Sequence, residues 1–194
     1  KIFLQHGIIK DNLTYLYNNN VNLDLFVCSA KPEYEYVKSL YGYKDNVVKM
    51  LGLCRYDALY KNEQPTKKVL LMPTWRYNLQ GADKKEFVKS EYYNVLEKYN
   101  YELLFYPHIE FQRFIDTFKG GERVKIVTFN DSTVQNLLIK SDVLITDFSS
   151  VFFDYGYMEK PMIFYQFDKE SFRQQHYEEG YFDYERDGFG EIFV

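Results

Sequence analysis

The sequence predicts an α/β protein, with parallel sheets flanked by helices on both faces and the chain divided into two doubly wound halves. Three observations carry this. Short apolar runs alternate with amphipathic helical stretches along the chain. Most of those runs are continuous rather than alternating, as in strands buried on both faces. A polar, proline-containing stretch, Lys61-Asn62-Glu63-Gln64-Pro65-Thr66, interrupts the pattern, and the boundary between halves is drawn there, at 62/63.

The elements follow in order. Lys1-Ile2-Phe3-Leu4-Gln5 reads as a buried strand stopping at His6-Gly7. It opens without a methionine, which predicts a piece of a longer chain. Leu23 to Cys28 is the next strand, and Pro32 stands in the first turn of a helix carrying Tyr36, Val37, Leu40 and Tyr41 and closed by Gly42. Val47 to Leu51 is a third strand. Beyond the linker come a strand at Val69 to Met72, an amphipathic helix over 83–99, a strand at Leu103 to Tyr106 and a helix over 111–118. Val124 to Phe129 is a strand, and Ser132 is the expected cap of a helix running to about Lys140. Val143 to Thr146 is a strand, Ser149-Ser150 opens the next helix, and Met162 to Tyr165 is the last clear strand. The stretch 177–189 reads as irregular.

Composition narrows the function. Hydrophobic residues make up 46% and charged residues 27%, ordinary for a folded domain, so wholesale disorder is excluded. The net charge of −4 argues against a protein that grips nucleic acid through a basic face. Two cysteines, Cys28 and Cys54, do not make a disulfide framework and suit a reducing cytoplasm. No run of about 18 apolar residues appears, so no membrane span is expected, and peripheral attachment is left open. Aromatic residues are in excess at 20%, with 17 Phe, 20 Tyr and 1 Trp.

Ligands of open parallel sheets bind beyond the carboxyl ends of the strands. At or near those places the sequence sets His6, Ser29, Arg55, Arg76, His108 and the run Asp147-Phe148-Ser149-Ser150. Helix-tip amides with two hydroxyls can seat a phosphate, although Asp and Ser also cap helices in any protein. Asp154 follows Ser150 by one turn and could accept hydrogen bonds from a ribose, or could be a solvated helical carboxylate. His6 and His108 suit proton transfer near neutral pH. His176 lies in a polar stretch and reads as surface. Arg55 and Arg76 offer bidentate phosphate recognition, with a structural pairing of Arg55 to Asp57 as the competing reading. Metal-ligand spacing, the Gly-rich dinucleotide fingerprint and the phosphate-loop motif are all missing from the sequence.

The ordered segments Gln5-His6-Gly7, Gly52-Leu53-Cys54-Arg55-Tyr56-Asp57, Met72-Pro73-Thr74-Trp75-Arg76, Tyr106-Pro107-His108 and Ser141 through Tyr155 resemble the CDP-glycerol glycerophosphotransferases of teichoic acid and capsule assembly. Gly180-Tyr181-Phe182-Asp183-Tyr184 is similar to a late family segment. The resemblance implies a two-lobed GT-B fold with the active site between lobes, 1–62 ending an acceptor-side lobe and 63–194 forming most of a nucleotide-binding lobe. It implies transfer of glycerol phosphate from CDP-glycerol to a hydroxyl of a lipid-linked polyol or saccharide acceptor, releasing CMP, at the cytoplasmic face of the membrane. His6 would then be the general base. His108 would assist or bind the diphosphate, Ser149 and Ser150 hold phosphates, and Asp154 holds the ribose. Arg76 and Asp147 join the phosphate site, with Arg55 and Asp57 as further candidates. No cofactor, metal or nucleic acid is called for. The alternatives are ribitol as cargo, a nucleotide-sugar glycosyltransferase, and a nucleotide-binding module without turnover.

Overall fold

A computed structural model describes residues 1–61, 64–76, 85–86 and 91–194 of the chain. In chain order the elements begin with β1 (Ile2–Phe3), β2 (Asp11–Asn12), β3 (Leu25–Cys28), α1 (Lys31–Leu40), β4 (Val48–Met50) and a 3-10 turn at Cys54–Ala58. Then come β5 (Lys68–Met72), β6 (Lys85–Glu86), α2 (Glu91–Tyr99), β7 (Glu102–Phe105), α3 (Ile109–Gln112), β8 (Phe118–Lys119) and β9 (Val124–Ile126). They are followed by α4 (Val134–Ile139), β10 (Val143–Thr146), α5 (Val151–Tyr157) and β11 (Met162–Tyr165). The chain closes with α6 (Lys169–Gln175), β12 (Glu178–Glu179), α7 (Tyr184–Asp187) and β13 (Glu191–Phe193). Two compact units result, Lys1–Ala58 with Lys169–Gly188, and Leu59–Asp168 with Phe189–Val194.

The second unit is built on a six-stranded sheet in the order β13-β11-β10-β5-β7-β9, every described pair parallel. Read by rank along the chain from the β9 edge, this is 3-2-1-4-5-6, the doubly wound order of dinucleotide-binding sheets. Met162, Leu144, Leu70 and Leu104 lie in register across four strands, and all are buried, as continuous apolar strands covered on both faces require. α5 lays Phe152 on this sheet, edge-on to Phe164 at 5.1 Å. Lys160 closes the end of α4: its buried ammonium donates to the carbonyls of Leu138, Ile139 and Ser141 at 2.8, 2.7 and 2.9 Å. At the amino edge of the sheet, Asp142 accepts from the amide and hydroxyl of Thr66 and the amide of Lys67, fixing β5 beside β10.

The first unit has a parallel sheet in the order β1-β3-β4, with Phe26, Cys28, Val37, Tyr41 and Val48 in its core. Part of the aromatic excess is used in this core. The Phe26 ring meets Phe3, Tyr41 and Tyr43 edge-on, and Tyr41 is flanked by Tyr17 and Tyr36. The Tyr43 hydroxyl reaches the carbonyls of Leu16 and Val21, so a small core keeps its polar tips satisfied. Lys169–Gly188, assigned by the sequence division to the second part, clusters with this unit: β12 pairs antiparallel with β2, and Arg173 binds Asp11 at 2.7 Å. Gly180 permits the close approach, since a Cβ there would stand 2.4 Å from the Lys10 carbonyl oxygen.

Several expectations change. The first strand ends at Phe3 and lies at the sheet edge, with Ile2 and Leu4 exposed, because β1 pairs with β3 alone among the described residues. The helix expected over 83–99 is helical at Glu91–Tyr99, while Lys85–Glu86 pair with β8; residues 83–84 and 87–90 of that expectation, and Asn62 and Glu63 of the linker, lie outside the described residues. The helix expected over 111–118 divides into α3, a 3-10 turn at Ile115–Thr117 and β8. The strand from Val124 stops at Ile126, as Thr128 enters a turn in which its amide and hydroxyl both donate to Asp131. That turn moves the cap of α4 from Ser132 to Thr133, whose hydroxyl accepts from the Asn136 amide. The stretch 177–189 holds β12 and α7, and β13 rather than β11 is the last strand.

Candidate functional site

In the second unit the chain leaves β5 toward β7 on one side and leaves β10 toward β11 on the other. β5 and β10 are neighbours, so their carboxyl ends form the topological switch point where such sheets receive ligands. Pro73 to Arg76 and Asp147 to Ser150 occupy it.

Arg76 is buried and its donors are directed at the protein. Nε and Nη2 donate to the two carboxylate oxygens of Asp168 at 2.7 and 2.9 Å, Nη2 donates to Asp147 at 2.7 Å, and Nη1 donates to the Thr74 carbonyl at 2.9 Å. Burial alone would lower the Arg76 pKa; the two carboxylates outweigh it, and the guanidinium is held above its ordinary value. Asp147 completes the clamp, its other oxygen accepting from the Thr74 amide and hydroxyl and the Phe148 amide. Gln166 adds a bond to the Asp147 carbonyl. The exits of β5, β10 and β11 are thereby tied together. Arg76 and Asp147, expected as phosphate contacts, have their polar groups facing each other and Asp168. Asp168 was missed in the sequence although it, too, lies just past a strand.

Ser149 and Ser150 follow the clamp, both half-buried. The Val151 amide donates to the Ser149 hydroxyl at 3.4 Å, and Ser150 makes no side-chain cap bond. Neither hydroxyl donates to a protein acceptor among the described residues. Asp154 is 3% exposed, so it is not a solvated helical carboxylate, and little of it faces outward.

His108 lies just beyond β7, the strand beside β5, and caps α3: its Nδ1 accepts from the Glu110 amide at 3.3 Å. Desolvation lowers its pKa, favouring neutral imidazole. With Nδ1 accepting, the neutral ring carries its proton on Nε2 and presents a donor outward.

His6, Arg55 and Asp57 belong to the first unit. His6 is exposed, its ring edge-on to Phe3 at 5.9 Å. Arg55 donates to the His6 carbonyl and lies over the Tyr56 ring, while Asp57 is exposed. His176 departs from its surface reading: it is half-buried and stacked on Phe172 with centroids 4.1 Å apart.

Strand order and switch point define a doubly wound, Rossmann-type α/β protein. The chain belongs to the CDP-glycerol:poly(glycerophosphate) glycerophosphotransferase family, which it matches over residues 5–194. It is 39% identical to the minor teichoic acid biosynthesis protein GgaB of Bacillus subtilis (strain 168), over 98% of this chain and 23% of that protein. It is 31% identical to the teichoic acid glycerol-phosphate primase of the same organism, over 71% of this chain and 38% of the primase. The chain thus spans well under half the length of these relatives. Its fold matches that of the wall teichoic acid polymerase TagF with a TM-score of 0.71 and 20% identity, over 97% of this chain and 54% of that one. The GT-B-like, Rossmann-type fold expected from the resemblance is therefore found.

Proposed function

We propose that the protein carrying this chain transfers glycerol phosphate from CDP-glycerol to a hydroxyl of a membrane-linked acceptor. The acceptor oxygen attacks the phosphorus bearing glycerol, the pyrophosphate bond to the cytidylate breaks, and CMP leaves. The acceptor proton passes to His6. Ser149 and Ser150 donate to the phosphate oxygens as negative charge moves onto the leaving phosphate, and the Nε2–H of His108 supplies a further donor. Arg76, Asp147 and Asp168 hold the exits of β5, β10 and β11 so that the two hydroxyls are fixed before the nucleotide arrives. Asp154, one turn into α5 after Ser150, is the candidate ribose contact.

The observation that carries the reading is the pair of serine hydroxyls, neither donating to a protein acceptor among the described residues, at the switch point of a chain that belongs to this family along nearly its whole length. No described helix is long and apolar enough to cross a membrane. We place the reaction at the inner membrane face, where a soluble CDP donor can meet a lipid-linked acceptor. The test is CMP release by the whole protein with CDP-glycerol, and with CDP-ribitol as the competing cargo. Ser149→Ala with Ser150→Ala is expected to raise the dissociation constant for CDP about tenfold, the loss of roughly 1.4 kcal/mol of hydrogen bonding. An unchanged constant removes the phosphate seat.

A further inference from the structure

Glu33 is a carboxylate at the third position of α1 with no exposed surface. One of its oxygens accepts from the Ser29 amide at 2.7 Å and from the Ser29 hydroxyl at 3.4 Å. This is the backward reach of an N-terminal helical glutamate toward the cap. The other oxygen does something a cap does not require. It accepts from the Ile9 amide at 2.7 Å and from the Gln5 side-chain amide at 3.2 Å. Gln5 and Ile9 are the two ends of the short loop that carries His6.

The loop is also held in an uncommon backbone state. Gln5, immediately before His6, has φ +74°, the left-handed region that a side chain other than glycine, asparagine or aspartate rarely occupies. Its tie to Glu33 offsets the cost of that conformation. Arg55 grips the same loop from another direction, through the His6 carbonyl. His6 itself is exposed, with its ring edge-on to Phe3, so the loop backbone and that contact together set where the imidazole points.

We propose that Glu33 is the positioning residue for His6, a buried carboxylate that fixes both ends of the histidine loop and so aims the imidazole at the acceptor hydroxyl. The proposal rests on the reading of His6 as general base. Desolvation raises the Glu33 pKa, against the lowering effect of the Ile9, Ser29 and Ala30 amides and the Ser29 hydroxyl, as expected of a carboxylate kept inside for the donors it collects. Tyr181 and Cys28 face the same carboxylate, and burial pushes both of their pKa values up, so each remains neutral beside it.

The test is CMP release by the whole protein carrying Glu33→Gln, which keeps the volume but sets an amide against N–H donors. The expected result is a fall in kcat of at least tenfold, with KM for CDP-glycerol and the dissociation constant for CDP within about twofold of wild type. Placed on His6→Ala, Glu33→Gln is expected to add no further loss, because the group it aims is gone; a residue that merely stabilises the unit would add its full effect. Gln5→Ala, which removes one tie and leaves the carboxylate, is the second variant should Glu33→Gln fail to melt cooperatively, and is expected to lose kcat in the same selective way. Wild-type kcat in Glu33→Gln or Gln5→Ala beside an inactive His6→Ala overturns the positioning role alone. Wild-type turnover in His6→Ala overturns the reading beneath it as well.

Discussion

Replacing Arg76 by methionine is the sharpest perturbation of the second unit. The side chain is 4% exposed, and its removal strips three charge-assisted hydrogen bonds, of 2.7, 2.7 and 2.9 Å, from Asp147 and Asp168. Those carboxylates have side-chain exposures of only 6% and 16%, so water cannot fully replace the lost donors. Removing one partner from a buried ionic network costs about 3–5 kcal/mol, most of it the burden of charge left uncompensated. Set against a total stability of about 5–15 kcal/mol, this is a large fraction. At about 2–4 °C per kcal/mol for a chain of this size, the melting temperature is expected to fall by about 6–20 °C. Arg76→Lys should recover only part of the loss, since a single ammonium cannot present the planar fork that spans both carboxylates. Thermal unfolding followed by circular dichroism is the assay. If Arg76→Met melts within about 2 °C of wild type, the clamp is not what holds the three strand exits.

Lys160→Met leaves the carbonyls of Leu138, Ile139 and Ser141 without their shared donor and is expected to cost about 3 kcal/mol. A lowered denaturant midpoint at unchanged slope is the signature, and an unmoved midpoint counts against the cap. His108 is expected to titrate below 6.5 by NMR, and a midpoint above that value would contradict its desolvation. Because its folded pKa is depressed, the unfolded chain binds the extra proton first. Stability therefore falls as pH drops below about 6.5, and His108→Gln should lose that increment.

Strand existence was legible because continuous apolar runs have few other uses: Val69 to Met72, Val143 to Thr146 and Met162 to Tyr165 were read to within a residue. Their order in the sheet was not, since periodicity does not say which strand pairs with which. Helix ends shifted where side chains compete for backbone donors, as when the Thr128–Asp131 turn displaced the cap from Ser132 to Thr133. Strand exits pointed to Arg76, Asp147 and His108. They could not show that the first two bind each other, because that depends on which strands are adjacent. Glu33 gave no signal at all, being one glutamate in a first helical turn among many that merely cap.

The segment Lys169–Gly188 returns to the first unit after the second has been almost entirely spelled out. On the ribosome, the Asp11–Arg173 bridge and the β2–β12 ladder therefore cannot form until about 160 further residues have been added, some 8–32 seconds at ordinary rates of synthesis. The second unit likewise lacks the partner of β11 until Glu191–Phe193 emerge. Residues 169–194 thus supply a strand to each unit. Arrest of translation before Lys169 would leave the first unit without its β2–β12 ladder and the second without its β11–β13 pairing.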